Sequence, residues 1–363
     1  MPQFSTSAMN LWLFTMSKLS SSTRNLGPAP KLLAIPLRLL ILIILTAPLV
    51  FALYKQWVGV QATLALIDWN GLVIGSLVQI AGLPLMGVIS WIVLHYLNAQ
   101  QPLSRVTGIY FISQLAKYLP GGIWAFPGRA IAYQTIGVDK VASVLGVMRE
   151  VIGLFLGAAV MGLLGLIQGL PMSRWINVTT LLGTIICILM VILTQIPGFW
   201  KFLKQLKFLQ KINLSVFESL QSQLDLRWLG FAFIVSLIYW FITGIGFYYI
   251  AIAITPTAAS LTWLQTSSIF ALAWCVGFVI VIAPAGIGVR ESALTLLLAQ
   301  SMSVSEALSV AIIARLWWTI TEAVYIVISV VWISGSANRF LMRKLISSKP
   351  EVDDRNTNNT ASS

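Results

Sequence analysis

The stretch YLPGGIWAFPGRAIAYQTIGVDKVASVLGVMRE, residues 118–150, decides how this chain is read. It sits inside a sequence that is otherwise mostly hydrocarbon. Pro120, Gly121 and Gly122 break a helix there; Trp124 and Phe126 follow, and then Arg129, Asp139, Lys140, Arg149 and Glu150. An echo near the C-terminal end, APAGIGVRESALTLLLAQSMSVSEALSVAIIAR (residues 283–315), carries Pro284, Gly286, Gly288, Arg290, Glu291 and Arg315. Broken backbone and charge are costly in lipid, so both stretches are expected to face protein or water at membrane depth.

Composition supplies the setting. Of 363 residues, 58% are hydrophobic and only 9% charged, with a mean hydropathy of +0.88. Soluble domains run near 25% charged. The deficit points to an all-α, polytopic helical membrane protein. The net charge of +12 does not imply nucleic acid, because the basic residues cluster between apolar runs. Positive-inside bias and attraction to anionic headgroups explain it. Cys187 and Cys275 each lie within an apolar run, without metal-ligand spacing, and read as small buried hydrophobes. The single histidine, His95, cannot form a histidine metal cluster. No metal, cofactor or catalytic constellation is expected. The chain contains no Gly-x-x-x-x-Gly-Lys-Ser/Thr loop, so any energy source for transport is a gradient or none.

Outward from the opening stretch, the spans fall into order. Residues 1–36 read as a cytoplasmic tail, 37–334 as the membrane domain, and 335–363 as a basic and then disordered cytoplasmic tail. A first span is expected over 37–54, a nearly uncharged outside loop over 55–70, and a second span over 72–97 with Pro84 inside it. Residues 106–119 and 123–136 are each too short to cross ~30 Å of hydrocarbon at ~1.5 Å per residue. Flanking Pro120-Gly121-Gly122, they read as a re-entrant hairpin or a broken helix. Full spans follow over 141–167, 176–196 and 228–252, with a basic, partly amphipathic loop over 201–227. Residues 261–282 and 292–299 flank the second break and either cross or form a hairpin. Residues 306–333 are the last span, carrying Arg315 and Glu322. Both termini are expected in the cytoplasm of a plasma-membrane protein.

Feature order matches between the two broken stretches: Pro120, Arg129, Gly137-Val138 and Arg149 in one, Pro284, Arg290, Ser303-Val304 and Arg315 in the other. Interrupted segments in corresponding places of two halves indicate an internal repeat with a site near the bilayer midplane. Adjacent residues on a helix point ~100° apart, so Arg149 and Glu150, and likewise Arg290 and Glu291, are placed to meet partners on other helices. Two readings of these charges remain open. They pair with one another and hold the bundle together, or Arg129, Arg149, Glu150, Arg290, Glu291, Arg315 and Glu322 line a polar cavity that accepts an anionic headgroup. Guanidinium binds phosphate bidentately and stays charged when desolvated.

LAKYLPGGIWAFPGR (residues 115–129), the Gly137-Val138 turn, Arg149-Glu150 and APAGIGVRESAL (residues 283–294) resemble the lysylphosphatidylglycerol synthase transmembrane region family. The family is a flippase-like domain attached to an aminoacyl-phospholipid synthase in the bacterial multiple peptide resistance factor, and it also occurs alone. The resemblance implies a polytopic protein that moves an anionic phospholipid or a polyprenyl-phosphate-linked lipid between leaflets. Its expected partners are membrane lipids with anionic headgroups and a separately encoded lipid synthase or glycosyltransferase. The chain ends shortly after its last span, so no aminoacyltransferase domain is expected; this weighs against an enzyme and leaves the question open. The alternatives are a non-catalytic membrane subunit of a lipid-modifying synthase and an intramembrane headgroup transferase.

Overall fold

A computed structural model describes residues 50–118, 124–169, 227–279 and 284–347, with four isolated helical positions between 178 and 189. The Pro120-Gly121-Gly122 break, most of the expected first span, all but those four positions of the span over 176–196, and nearly all of the basic loop lie outside the described residues. Among the described residues the protein is all helical. The helices are α1 (Trp57–Leu64), α2 (Trp69–Gly82), α3 (Pro84–Tyr96), α4 (Leu103–Gln114), α5 (Ala125–Thr135), α6 (Lys140–Ile167), α7 (Arg227–Ile254), α8 (Trp263–Val279), α9 (Val289–Leu298) and α10 (Val304–Ser347). Four helical stretches among the described residues are long and apolar enough to cross a membrane: Trp69–Tyr96, Lys140–Ile167, Arg227–Ile254 and Val304–Trp332. The protein is therefore a multi-pass membrane protein.

Local signals set the ends of these elements. Asp68 accepts from the Asn70 and Gly71 N–H groups and starts α2. Asp139 does the same for Val141 and Ala142 at the start of α6, directly after Gly137, whose φ is +88°. Each carboxylate satisfies donors that no helical carbonyl can reach. Pro84 stands first in α3, where its missing N–H costs nothing, and divides the second span into α2 and α3. Before α10, Ser303 and Glu306 bond reciprocally, side chain to backbone, as a capping box.

One sequence expectation needs correction. Residues 55–70 are not a loop, because α1 occupies Trp57–Leu64. Lack of charge there suited an outside loop, but WVGVQATL offers no turn residue apart from one glycine, and its apolar side chains favour continued helix. The last helix also runs past the expected boundary at residue 333, as far as Ser347.

Helix α7 is the hub. It packs along α2, α3, α6, α8 and α10. Lipid is as apolar as leucine, so helices in a membrane associate through close packing and hydrogen bonds, not through burial from water. Both devices are present. A Cβ added to Gly75 would lie 2.7 Å from the Gly246 carbonyl, and one on Gly246 would lie 2.8 Å from the Gly75 carbonyl. Helices α2 and α7 thus cross backbone to backbone. Trp240 donates to the Leu154 carbonyl at 3.0 Å, Ser268 to the Met161 carbonyl at 2.6 Å, and Tyr325 to the Ile80 carbonyl at 2.7 Å. These bonds join α7 to α6, α8 to α6, and α10 to α2.

Replacing Gly75 by leucine is expected to force α2 off α7 and to cost about 1–3 kcal/mol of overpacking. Thermal unfolding in detergent should show a clear fall in midpoint for Gly75→Leu and almost none for Gly230→Leu, whose Cβ would meet open space.

Candidate functional site

The two stretches singled out in the sequence come together in the fold. The single turn Leu115–Tyr118, which ends the first segment's leading helix, touches the turn Pro284–Gly286 of the second. Phe126 of α5 packs edge-on against Phe278 of α8 with ring centroids 5.5 Å apart. Between the segments lies a cavity with about 140 Å³ of room for the centres of water-sized molecules, far above the ~10–15 Å³ that one water needs. Its walls come from α3, α4, α5, α6, α8, α9 and α10 and the two turns. Four cations line it, Lys117, Arg129, Arg290 and Arg315, with two carboxylates, Glu150 and Glu322.

Arg129 and Glu150 form the most buried pair. Arg129 Nη1 donates to Glu150 Oε1, and the residues are only 1% exposed. Neighbours occupy the remaining lone pairs and protons. Ser90 donates to Glu150 Oε2 at 2.5 Å, and Arg129 Nε donates to Ser113 Oγ at 2.8 Å. The guanidinium lies 4.0 Å over the Tyr110 ring. A charge pair removed from water is tolerable only when its geometry and remaining hydrogen bonds are satisfied, as here.

A second pair repeats the arrangement with its signs exchanged. In the first segment the short helix α5 carries the arginine and the following long helix α6 carries the glutamate. In the second, the short helix α9 carries Glu291 and the following long helix α10 carries Arg315, with Arg315 Nε 3.4 Å from Glu291 Oε1. Glu291 does a second job, because its Oε2 accepts from the Gly288 N–H at 2.6 Å and closes the start of α9. Arg315 also does two jobs: its Nη2 donates to the Ala285 carbonyl at 2.8 Å. That carbonyl is aimed by a left-handed turn in which Ala285, Gly286 and Gly288 have φ of 54°, 69° and 83°. Alanine adopts this conformation at a cost of ~1–2 kcal/mol, and the Arg315 bond offsets part of it.

The third pair was not foreseen. Lys117 donates to both Glu322 oxygens, at 2.5 and 2.6 Å, and Tyr118 donates to Glu322 Oε2 at 3.1 Å. Lys117 was legible as a lysine in an apolar run three residues before Pro120. Its partner was not, since Glu322 lies 205 residues away.

Arg290 differs from the other three. It is 7% exposed, lines the cavity, and its guanidinium carbon lies 4.6 Å over the Phe270 ring and 5.1 Å over the Trp318 ring. Among the described residues, Arg290 makes no ion pair and no hydrogen bond through its side chain. Gly277 admits it: a Cβ there would lie 2.8 Å from Arg290 Cβ.

The sequence reading placed Arg149 in the cavity, and that needs correction. Neither Arg149 nor Glu291, also expected there, lines the cavity: Glu291 stands behind Arg315, and the Arg149 guanidinium lies 4.9 Å over the Trp228 ring. Residues adjacent on a helix diverge, so Glu150 faces α5 and Arg149 faces α7. Of the two aromatics beside the first break, Phe126 lines the cavity and Trp124 does not. Gly286 lines it as well, while Pro120, Gly121 and Gly122 lie outside the described residues. Among the described residues no group of histidine, cysteine and carboxylate side chains is placed to hold a metal.

With this geometry in view, comparison by sequence gives the class. The family model described as lysylphosphatidylglycerol synthase TM region matches residues 35–325, and the chain belongs to that family. It is a membrane protein of a family whose name ties it to phospholipid synthesis. No curated protein matches it.

Removing one partner of the Arg129–Glu150 pair strands the other. Glu150→Gln is expected to cost about 3–5 kcal/mol. The double variant Arg129→Gln/Glu150→Gln should recover much of that loss, because neither charge is then left alone. Unfolding midpoints of the two single variants and the double in one detergent measure this coupling directly.

Proposed function

We propose that the protein is a lipid translocase, moving an anionic phospholipid or a polyprenyl-phosphate-linked lipid across the bilayer. The observation that supports this reading is the cavity itself. It is a cation-rich pocket among apolar helices, built where two interrupted segments meet. Irregular backbone and charge persist at membrane depth where they line a pathway or a site. Arg129, Arg290 and Arg315 offer guanidinium groups suited to phosphate, and Glu150, Glu291 and Glu322 hold Arg129, Arg315 and Lys117 in place until a ligand competes for them. Arg149 is left out of the binding set. Phe126, Trp274 and Phe278 give the same cavity an apolar wall against which the lipid's linkage and upper acyl chains can lie.

In this reading the two interrupted segments are related as an internal repeat and enter the membrane from opposite sides. The exchanged signs of the Arg129–Glu150 and Glu291–Arg315 pairs then give each half one ion pair to open toward one leaflet. Both termini lie in the cytoplasm of a plasma-membrane protein, where basic flanks prefer to stay. A separately encoded lipid synthase or glycosyltransferase supplies or uses the lipid.

Purified protein in liposomes should speed the movement of a fluorescent anionic phospholipid between leaflets by roughly tenfold or more over empty liposomes, the effect of ~1.4 kcal/mol off the barrier. Arg290→Gln, which leaves no carboxylate without its partner, should lose most of that acceleration at unchanged expression. Rates equal to those of empty liposomes would remove the proposal. Product formed from lipid and an activated donor would make the protein a headgroup transferase instead.

A further inference from the structure

We infer that the Lys117–Glu322 pair is a proton site: an anion enters the cavity together with one proton, which Glu322 takes as Lys117 turns to the anion. The inference rests on the anion-binding reading above and adds a coupling ion to it.

The argument starts from what an arriving anion must displace. Lys117 Nζ donates to both Glu322 oxygens, so its positive charge is already matched. An anion that draws Lys117 away leaves a carboxylate without its partner in a low-dielectric site, which is strongly unfavourable. A proton on that carboxylate removes the penalty. Before binding, Lys117 is positive and Glu322 negative. Afterwards Lys117 faces the anion and Glu322 is neutral. One negative and one positive charge have entered the cavity, so its net charge is unchanged. The one covalent bond formed is O–H at Glu322 Oε1, and its proton comes from water in the cavity. Oε2 still accepts from Tyr118.

Of the three pairs, this one meets the requirements. Both members line the cavity. Their side chains are 18% and 5% exposed, against 2% and 1% for Arg129 and Glu150, so water reaches Lys117 and Glu322 more easily. Lysine is a flexible cation with rotatable donors that can turn to a new partner. Arg129 is fixed instead by Glu150, Ser113 and the Tyr110 ring. Glu291 does not line the cavity, and its Oε2 closes the start of α9. Among the described residues, the charged and titratable groups facing the pair are Tyr118 from the same turn, Tyr110 from α4, Tyr239 from α7, Arg290 from α9 and Arg315 from α10. Arginines stay protonated, and a tyrosine hydroxyl already carries its proton at neutral pH. The Glu322 carboxylate is the acceptor that remains.

The test counts protons. Short-chain phosphatidylglycerol serves as the probe, because a phosphodiester lacks the second ionisation that a phosphomonoester has near neutral pH. The full chain in detergent is titrated calorimetrically at neutral pH in two buffers of different ionisation enthalpy. About one proton should be taken up per lipid bound, and uptake means that binding weakens as pH rises, by roughly tenfold in Kd per pH unit. Glu322→Gln, neutral from the start, should take up no proton with the lipid. If that variant does not fold with Lys117 unpaired, the double variant Lys117→Gln/Glu322→Gln strands neither charge and should show the same loss. Lipid bound by the unaltered protein without proton uptake, or uptake undiminished in either folded variant, overturns the inference and leaves the lipid reading standing. No lipid bound at any pH overturns both. Proton-linked binding without lipid movement in liposomes supports the proton site and overturns the translocase alone.

Discussion

Charge held in a medium that cannot solvate it is the constraint on which this structure depends. Arg129 and Glu150 are almost fully enclosed by protein and border only the cavity. The surrounding protein answers that need atom by atom. Ser90 comes from α3, Ser113 and Tyr110 from α4, the arginine from α5 and the glutamate from α6. Four helices are thus tied to one ion pair. The pair ties the short helices of the first segment to the longer helices beside them.

The second segment is organised on the same principle with the charges exchanged, and that exchange creates the asymmetry of the cavity. Glu291 serves both as the cap of α9 and as the partner of Arg315, and the adjacent Arg290 forms no ion pair with it. Aromatic rings take the place of a counter-ion. The left-handed turn through Ala285 and Gly286 belongs to the same arrangement. It brings a carbonyl to Arg315 and lets the turn lie over Gly277. Backbone shape, small residues and charge are therefore one device around the second break.

The scaffold allows this because its long helices are joined by means that do not depend on water. The Gly75–Gly246 crossing brings α2 and α7 into backbone contact, and Trp240, Ser268 and Tyr325 each spend a polar hydrogen on a neighbouring helix. A rigid frame of α2, α6, α7 and α10 can carry the interrupted segments without each of them having to be stable alone. Short helices of 10–12 residues are marginal by themselves.

Much of this was legible from residue types in order along the chain. The hydrocarbon content dictated a helical membrane protein. The expected spans over 72–97, 141–167 and 228–252 fall close to α2–α3, α6 and α7, because long apolar runs with polar or capping residues at their ends admit little else. The short helices around each break were also legible, since Pro and Gly stop a helix wherever it is. The stretch over 55–70 was misread because absence of charge is as typical of helix as of an outside loop. Which charge meets which was beyond reach. Lys117 and Glu322 are far apart in sequence, and the assignment of Arg149 away from the cavity turns on a rotation of ~100° between neighbours on α6. By itself, then, the sequence determined that charge and broken backbone must be sheltered within a membrane bundle. Only the tertiary structure decided that three cations are matched and Arg290 is not, because pairing depends on the facing of helices, and helix facing is settled by packing across the whole bundle.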